Sequence, residues 1–226
     1  MGERDDAGSV DRVIDCVCFD FDGTLVDSLD AAFNAYQVVG PAFGCVPLTR
    51  EDLKGLRGLH LREVIQALGL PFYRVPRMAQ RMRQAMRAEL METPPVAGIA
   101  EVLDAFARPG RRLGVLSSNA ESSVRDYCAR HGLERFDFVV GGASLFGKSG
   151  ALRRILRRQS LQAGALLYVG DELRDLEAAR AVGAAFAAVG WGYTALERLA
   201  AAGPDHLAAT PAELLALANS LGSAPR

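Results

Sequence analysis

Two aspartates, Asp20 and Asp22, stand one residue apart at the end of an apolar run, Val13 to Phe19, within the stretch CFDFDGTLVDS (18–28). Carboxylates this close repel each other unless a cation or a proton intervenes. Paired acids of this kind can serve as nucleophile, general acid or metal ligand. Gly23 and Thr24 follow and read as a turn. Three further sets of chemically competent residues follow later apolar runs: Ser117, Ser118 and Asn119; Lys148; and Gly170, Asp171, Glu172 and Asp175. The acids offer oxygen ligands only. That suits Mg²⁺, which takes one or two carboxylates and keeps room for waters and a substrate phosphate. Lysine is rare in this chain, with 24 Arg against two Lys, Lys54 and Lys148. A lysine in a strand-to-helix loop of so arginine-rich a chain points to a need for a compact point charge.

These groups need elements to hold them. Strand-like runs at 13–19, 113–117, 136–140, 165–170 and 184–190 alternate with helical patterns at 98–107, 122–132, 150–159 and 175–183. Residues 204–220 fit one more short strand and a closing helix. Short apolar strands alternating with helices imply right-handed βαβ units and a parallel sheet covered on both faces. The expected fold is α/β, a Rossmann-like three-layer core. In such open sheets ligands bind outside the carboxyl ends of the strands. Each set of candidate residues lies at such an end.

Residues 29–92 break the alternation and read as helices, in DAAFNAYQVVG, REDLKGL, HLREVIQALG and RMAQRMRQAMRAELM. Pro94 and Pro95 punctuate the return. The expected organisation is a core formed by 12–28 and 93–220, a helical cap at 29–92, and unstructured ends at 1–11 and 221–226. The cap holds nine Lys/Arg against six Asp/Glu, and Arg77, Arg81, Arg83 and Arg87 read as a solvated helix face.

Composition excludes several classes. A net charge of −1 gives no global attraction to nucleic acid or anionic membrane. No apolar run reaches the roughly 20 residues that span a bilayer. The polar start, MGERDDAGSVDR, has no apolar signal region, so the expectation is a cytoplasmic protein, monomer or homodimer. Cys16, Cys18, Cys45 and Cys128 form no CxxC or Cys/His ligand spacing, which argues against zinc or a disulfide framework. Cys16 and Cys18 share a strand face and read as small core residues.

The motifs DFDGT, LSSN, an isolated lysine after the third strand, and GDELRD, in that order, resemble the haloacid dehalogenase-like hydrolase superfamily. The resemblance covers nearly the whole chain. The position of the helical insert is similar to the helical-cap, phosphoglycolate phosphatase-like branch. It implies Mg²⁺-dependent hydrolysis of a small phosphate monoester through an aspartyl phosphate. Asp20 is then the nucleophile and Asp22 the general acid and base. Ser117 binds a phosphoryl oxygen, and Lys148 neutralises charge on the nucleophile and phosphoryl group. Thr24 helps shape the turn and joins Ser118 and Asn119 in the substrate-binding set. Asp20, Asp171 and the Asp22 carbonyl hold the metal, with Glu172 and Asp175 ligating through water or orienting Lys148. Asp175 reads equally as the N-cap of the 175–183 helix. In the cap, Arg57 and His60 are candidate substrate contacts. Asp22 argues against dehalogenation. Lys54 is the only cap lysine available for phosphonatase-type Schiff-base chemistry. A sugar-phosphate mutase shares every core motif, and a non-catalytic binding module on this fold is the reading from another class.

Overall fold

The computed structural model of the chain describes residues 13–144 and 147–221. The ends expected to be unstructured lie outside these residues, apart from Leu221.

Six short apolar runs form strands β1 (Cys16–Phe19), β2 (Arg112–Leu116), β3 (Phe138–Val140), β4 (Leu166–Gly170), β5 (Ala185–Val189) and β6 (His206–Ala208). All pair in parallel, in the order β3-β2-β1-β4-β5-β6. β1 is central, with Phe19 in register with Val115 on one side and Val169 on the other. The chain builds outward from β1 in one direction, then restarts at β4 and builds in the other. The order therefore reverses between β1 and β4, and a crevice opens at their carboxyl ends.

Helices α1 (Leu29–Val39), α2 (Asp52–Leu56), α3 (Leu61–Ala67) and α4 (Val75–Glu92) make up the insert. Helices α5 (Ile99–Phe106), α6 (Glu121–Arg130), α7 (Lys148–Arg158), α8 (Leu173–Arg180), α9 (Leu196–Ala201) and α10 (Pro211–Ser220) flank the sheet. Strand alternation sends Val17 and Phe19 to one face, where they pack with Phe106 of α5, Tyr127 of α6 and Leu214 of α10. Cys16 and Cys18 go to the other, against Leu152 of α7, Leu176 of α8 and Leu199 of α9. Both cysteines are free thiols, and burial pushes the Cys16 thiol up to about 12. The result is a three-layer α/β core.

The insert has its own small apolar cluster, in which Tyr36 and Val39 of α1 meet Ile65 of α3 and Met78 of α4. Its two ends are joined where Val26 bridges Pro95 and the Val96 amide donates to the Leu25 carbonyl at 3.0 Å. The proline pair thus sits where the chain re-enters the core.

Candidate active site

The crevice gathers residues from the ends of β1, β2, β4 and β5 and from the start of α7. Past β1 the backbone folds into a tight turn. The Leu25 and Val26 amides both donate to the Phe21 carbonyl, and Gly23 adopts φ +76°. A Cβ at Gly23 would lie 2.3 Å from Asp171 Oδ2, so this turn demands glycine both for its conformation and for the approach of the acid.

Asp20 is buried at 3% exposure, and Lys148 is equally buried. Lys148 Nζ donates to Asp20 Oδ2 at 2.7 Å and to Asp175 Oδ1 at 2.5 Å. Tyr168 Oη also donates to Asp175 Oδ1. Lys148 is the first residue of α7 rather than a loop residue, and its ammonium spans two strand ends. Burial opposes its charge, but Asp175 and Asp20 outweigh that and hold its pKa above the ordinary value. Burial pushes the Asp20 carboxyl up to about 7 against the pull of Lys148.

Asp171 is fully buried. Its carboxylate accepts from Thr24 Oγ1 at 3.0 Å and from the Tyr193 amide at 2.7 Å. The Thr24 hydroxyl is thus turned to Asp171. Burial, with Glu172 and Asp20 adding to it, holds the Asp171 carboxyl well above the carboxylate range.

Asp175 differs from the N-cap expected for it. α8 begins earlier, at Leu173, so Glu172 is the cap residue. Asp175 stands in the first turn, where its Oδ2 accepts from the Glu172 amide at 3.2 Å. One capping-box carboxylate thereby holds the turn with one oxygen and Lys148 with the other. Glu172 itself pairs with Arg174.

Asp22 faces the crevice. Its Oδ2 accepts from Asn119 Nδ2 at 2.8 Å, while Oδ1 is buried without a partner. Burial raises its pKa above the ordinary value. Ser117 is fully buried, and its Oγ accepts from the Asn119 amide at 3.0 Å. Ser118 and Asn119 line the cleft beside Asp22.

Arg57 and His60, the expected substrate contacts, fasten insert to core. An Arg57 guanidinium nitrogen donates to the Gly192 carbonyl at 2.9 Å, and the Ala195 amide donates to the Arg57 carbonyl. His60 Nε2 meets Glu177 Oε1 at 2.9 Å. His60 also lines the cleft, whereas Arg57 does not.

The segment after β5, residues 190–194, was not among the expected site residues. It supplies the Tyr193 amide to Asp171, and Trp191 Nε1 donates to the Thr24 carbonyl. The rule that strand ends carry the site applies to β5 as to the others, and GWGYT was legible by it. A Cβ at Gly192 would meet Asp171 Oδ2 at 2.2 Å, so the acid is seated between two glycine backbones.

One carboxylate oxygen from each of Asp20, Asp171 and Asp175 lies within 4.8 Å of the others. Three buried carboxylates against a single ammonium leave an excess of negative, oxygen-only ligands, which a hard divalent cation fits in charge and chemistry. Asp175 already accepts from Lys148, Tyr168 and the Glu172 amide, more donors than Asp20 or Asp171 meets, which leaves Asp20 and Asp171 as the carboxylates best suited to hold it. The Asp22 carboxylate stands outside this cluster.

Above these groups the insert closes a cleft of about 330 Å³. The floor is polar, with Asp22 and Asn119, and the walls come largely from apolar side chains of the insert.

A sheet whose order reverses over a buried acid paired with a lysine, with a helical insert after its first strand, defines a known class. Residues 17–189 match the family described as haloacid dehalogenase-like hydrolase. A phosphoglycolate phosphatase of Synechococcus elongatus is 36% identical over 200 residues, covering 88% of this chain and 94% of its own. A haloacid dehalogenase-like hydrolase from Streptococcus pneumoniae superposes with TM-score 0.75 at 24% identity, covering 91% of this chain and 98% of its own. A CbbY mutant from Rhodobacter sphaeroides, solved with xylulose-1,5-bisphosphate, does so at 0.67 and 23%, covering 88% and 96%. The chain belongs to the haloacid dehalogenase-like hydrolases, on the phosphoglycolate phosphatase-like side of that family. It is by that membership an enzyme, a hydrolase of the phosphatase class. Among the described residues no helix is long and apolar enough to cross a membrane.

Proposed function

We propose that the protein hydrolyses a small-molecule phosphate monoester with Mg²⁺, through a phosphoryl group carried on Asp20. The observation that carries this is the pairing of two acids with opposite environments at one strand end. Asp20 touches an ammonium and belongs to the acid cluster. Asp22, two residues on, faces the cleft with a buried, unpartnered oxygen.

Contact with Lys148 favours the ionised form of Asp20, and an ionised carboxylate needs no base to attack phosphorus. The bond from Asp20 to phosphorus forms as the bond to the leaving oxygen breaks. Asp22, its proton affinity raised by burial, donates that proton to the departing alkoxide. It then takes a proton from the water that cleaves the acyl phosphate, which returns both acids to their starting states. The Asn119 amide group holds the Asp22 carboxyl in place through Oδ2. Lys148 offsets charge on Asp20 and on the phosphoryl oxygens, and the Ser117 hydroxyl and the Ser118 amide are the groups assigned to hold those oxygens. When bound by Asp20, Asp171 and the Asp22 carbonyl, Mg²⁺ would supply the remaining positive charge toward the phosphoryl group. The closed insert would exclude bulk water from the acyl phosphate.

The mutase reading shares these steps up to the phosphoenzyme and differs only in what accepts the phosphoryl group. Release of inorganic phosphate from phenyl phosphate separates the two. Release should require Mg²⁺, stop in excess chelator and be absent in Asp20→Asn. Turnover that survives chelation, or an Asp20→Asn protein with full activity, would overturn the assignment.

A further inference from the structure

The cleft wall carries information about the leaving group. Leu56, Leu59, Leu61, Val64, Met82 and Met86 of the insert all face it. The volume of about 330 Å³ lies within the roughly 300–1,000 Å³ of small-molecule pockets. A two-carbon alcohol would leave most of that wall uncovered, and apolar wall left wet contributes no binding energy. One charged residue interrupts the wall. Arg83, on α4, is half-buried and lines the cleft, with no hydrogen bond or ion pair to any described residue. The other basic side chains lining the cleft have partners, Arg174 in Glu172 and His60 in Glu177. From its sequence Arg83 is expected on a solvated face, but here it is half-buried and shares the cleft lining with Asp22 and the apolar side chains of the insert. A half-buried guanidinium without a partner is costly unless an anion meets it, and its planar fork suits a carboxylate or phosphate.

We propose that the preferred substrate is a phosphate monoester whose alcohol combines an apolar body, of the size of an aromatic ring or larger, with an anionic group received by Arg83. The proposal rests on the phosphatase reading above and names its substrate class. Three esters separate the contributions. Phenyl phosphate has the body alone, 2-phosphoglycolate has the anion alone, and 3-carboxyphenyl phosphate has both, with a phenol leaving group of acidity close to phenol's. The expected order in kcat/KM puts 3-carboxyphenyl phosphate about tenfold or more above phenyl phosphate, the increment of one charged hydrogen bond, while against 2-phosphoglycolate, whose alkoxide is the poorer leaving group, the ring is read from competitive inhibition constants, expected to be about tenfold lower for the carboxylated aryl ester. Arg83→Met should bring 3-carboxyphenyl phosphate down to the level of phenyl phosphate, and Arg83→Lys should retain part of the preference. Both changes sit on a half-exposed helix position, and a thermal melt verifies the fold. Equal rates for the two aryl esters, or equal losses on both in Arg83→Met, would overturn the role of Arg83. A lower inhibition constant for 2-phosphoglycolate than for both aryl esters would overturn the apolar body. If no ester releases phosphate, the phosphatase reading itself fails, which is a different result from either.

Discussion

At the scale of single residues, the two acids of the opening motif are set apart by what touches them. Asp20 is locked to an ammonium, and Asp22 keeps one oxygen without a partner. Asp22→Asn should therefore split the reaction. Asp20 can still attack, and a nitrophenolate leaving group needs little protonation, so the first half survives in part. The amide cannot take a proton from water, and acid–base assistance is typically worth about a hundred- to ten-thousand-fold. The phosphoenzyme should accumulate, with the adduct visible by mass spectrometry of the quenched protein and mapped to Asp20. An adduct on any other residue would overturn Asp20 as the nucleophile, and failure of any adduct to accumulate would remove Asp22 from the second step. Asn119 can hold the asparagine in the same place once its own amide is matched to the new side-chain carbonyl, so the variant tests chemistry more than position.

At the scale of elements, the helical insert is tied down at two points. Arg57 grips the Gly192 carbonyl and His60 meets Glu177. The first tie joins a charged, half-buried donor to the carbonyl of a buried glycine, and the second is a surface pair of small worth. Arg57→Ala should lower kcat/KM about tenfold, by the same factor for small and bulky esters, because it loosens the roof without touching the leaving group. A loss confined to one ester would instead make Arg57 a substrate contact. The elements themselves were largely legible in the sequence. Buried parallel strands are near-continuous apolar runs, and five such runs with their intervening helices lie where periodicity puts them. The ends were less legible for identifiable reasons. β1 starts at Cys16, not Val13, because Val13 is largely exposed. β3 starts at Phe138 because the Asp137 carboxylate takes the Leu113 amide, closing off the strand with a side chain. α9 spans only Leu196–Ala201, too short to show a period. The candidate site residues at the strand ends could be read because topology alone sends them to one edge. Which face of α4 meets the core could not be read, since arginines recur around that helix. The roles of Arg57, His60 and Arg83 depend on that tertiary choice.

At the scale of the whole molecule, the acid cluster should make stability depend on pH and, on the function proposed above, on the metal. The Asp20 carboxyl sits near 7 in the fold, against 3.8 as its ordinary value, chiefly because it is buried. Asp171 is displaced in the same direction for the same reason. A carboxyl that holds its proton more tightly folded than unfolded lends stability that is fully present below the ordinary value. That stability is lost as pH rises through the folded value. The metal-free protein should thus lose stability between about pH 4 and pH 7 through this site. Mg²⁺ acts in the opposite sense. It needs these carboxylates ionised, so it competes with protons and binds better as pH rises. At about a hundred times its dissociation constant a ligand adds about 2.7 kcal/mol, which for a chain of this size is about 5–10 °C in Tm. Thermal melts with saturating Mg²⁺ and with chelator should therefore diverge at pH 8 by about that amount and nearly coincide at pH 5. The Asp171→Asn protein should show a reduced gap at pH 8, since one donor is neutral and the cluster carries less charge. Equal metal-induced shifts at both pH values would mean that the ion binds somewhere other than these buried acids, and an unchanged gap in Asp171→Asn would remove Asp171 from the site.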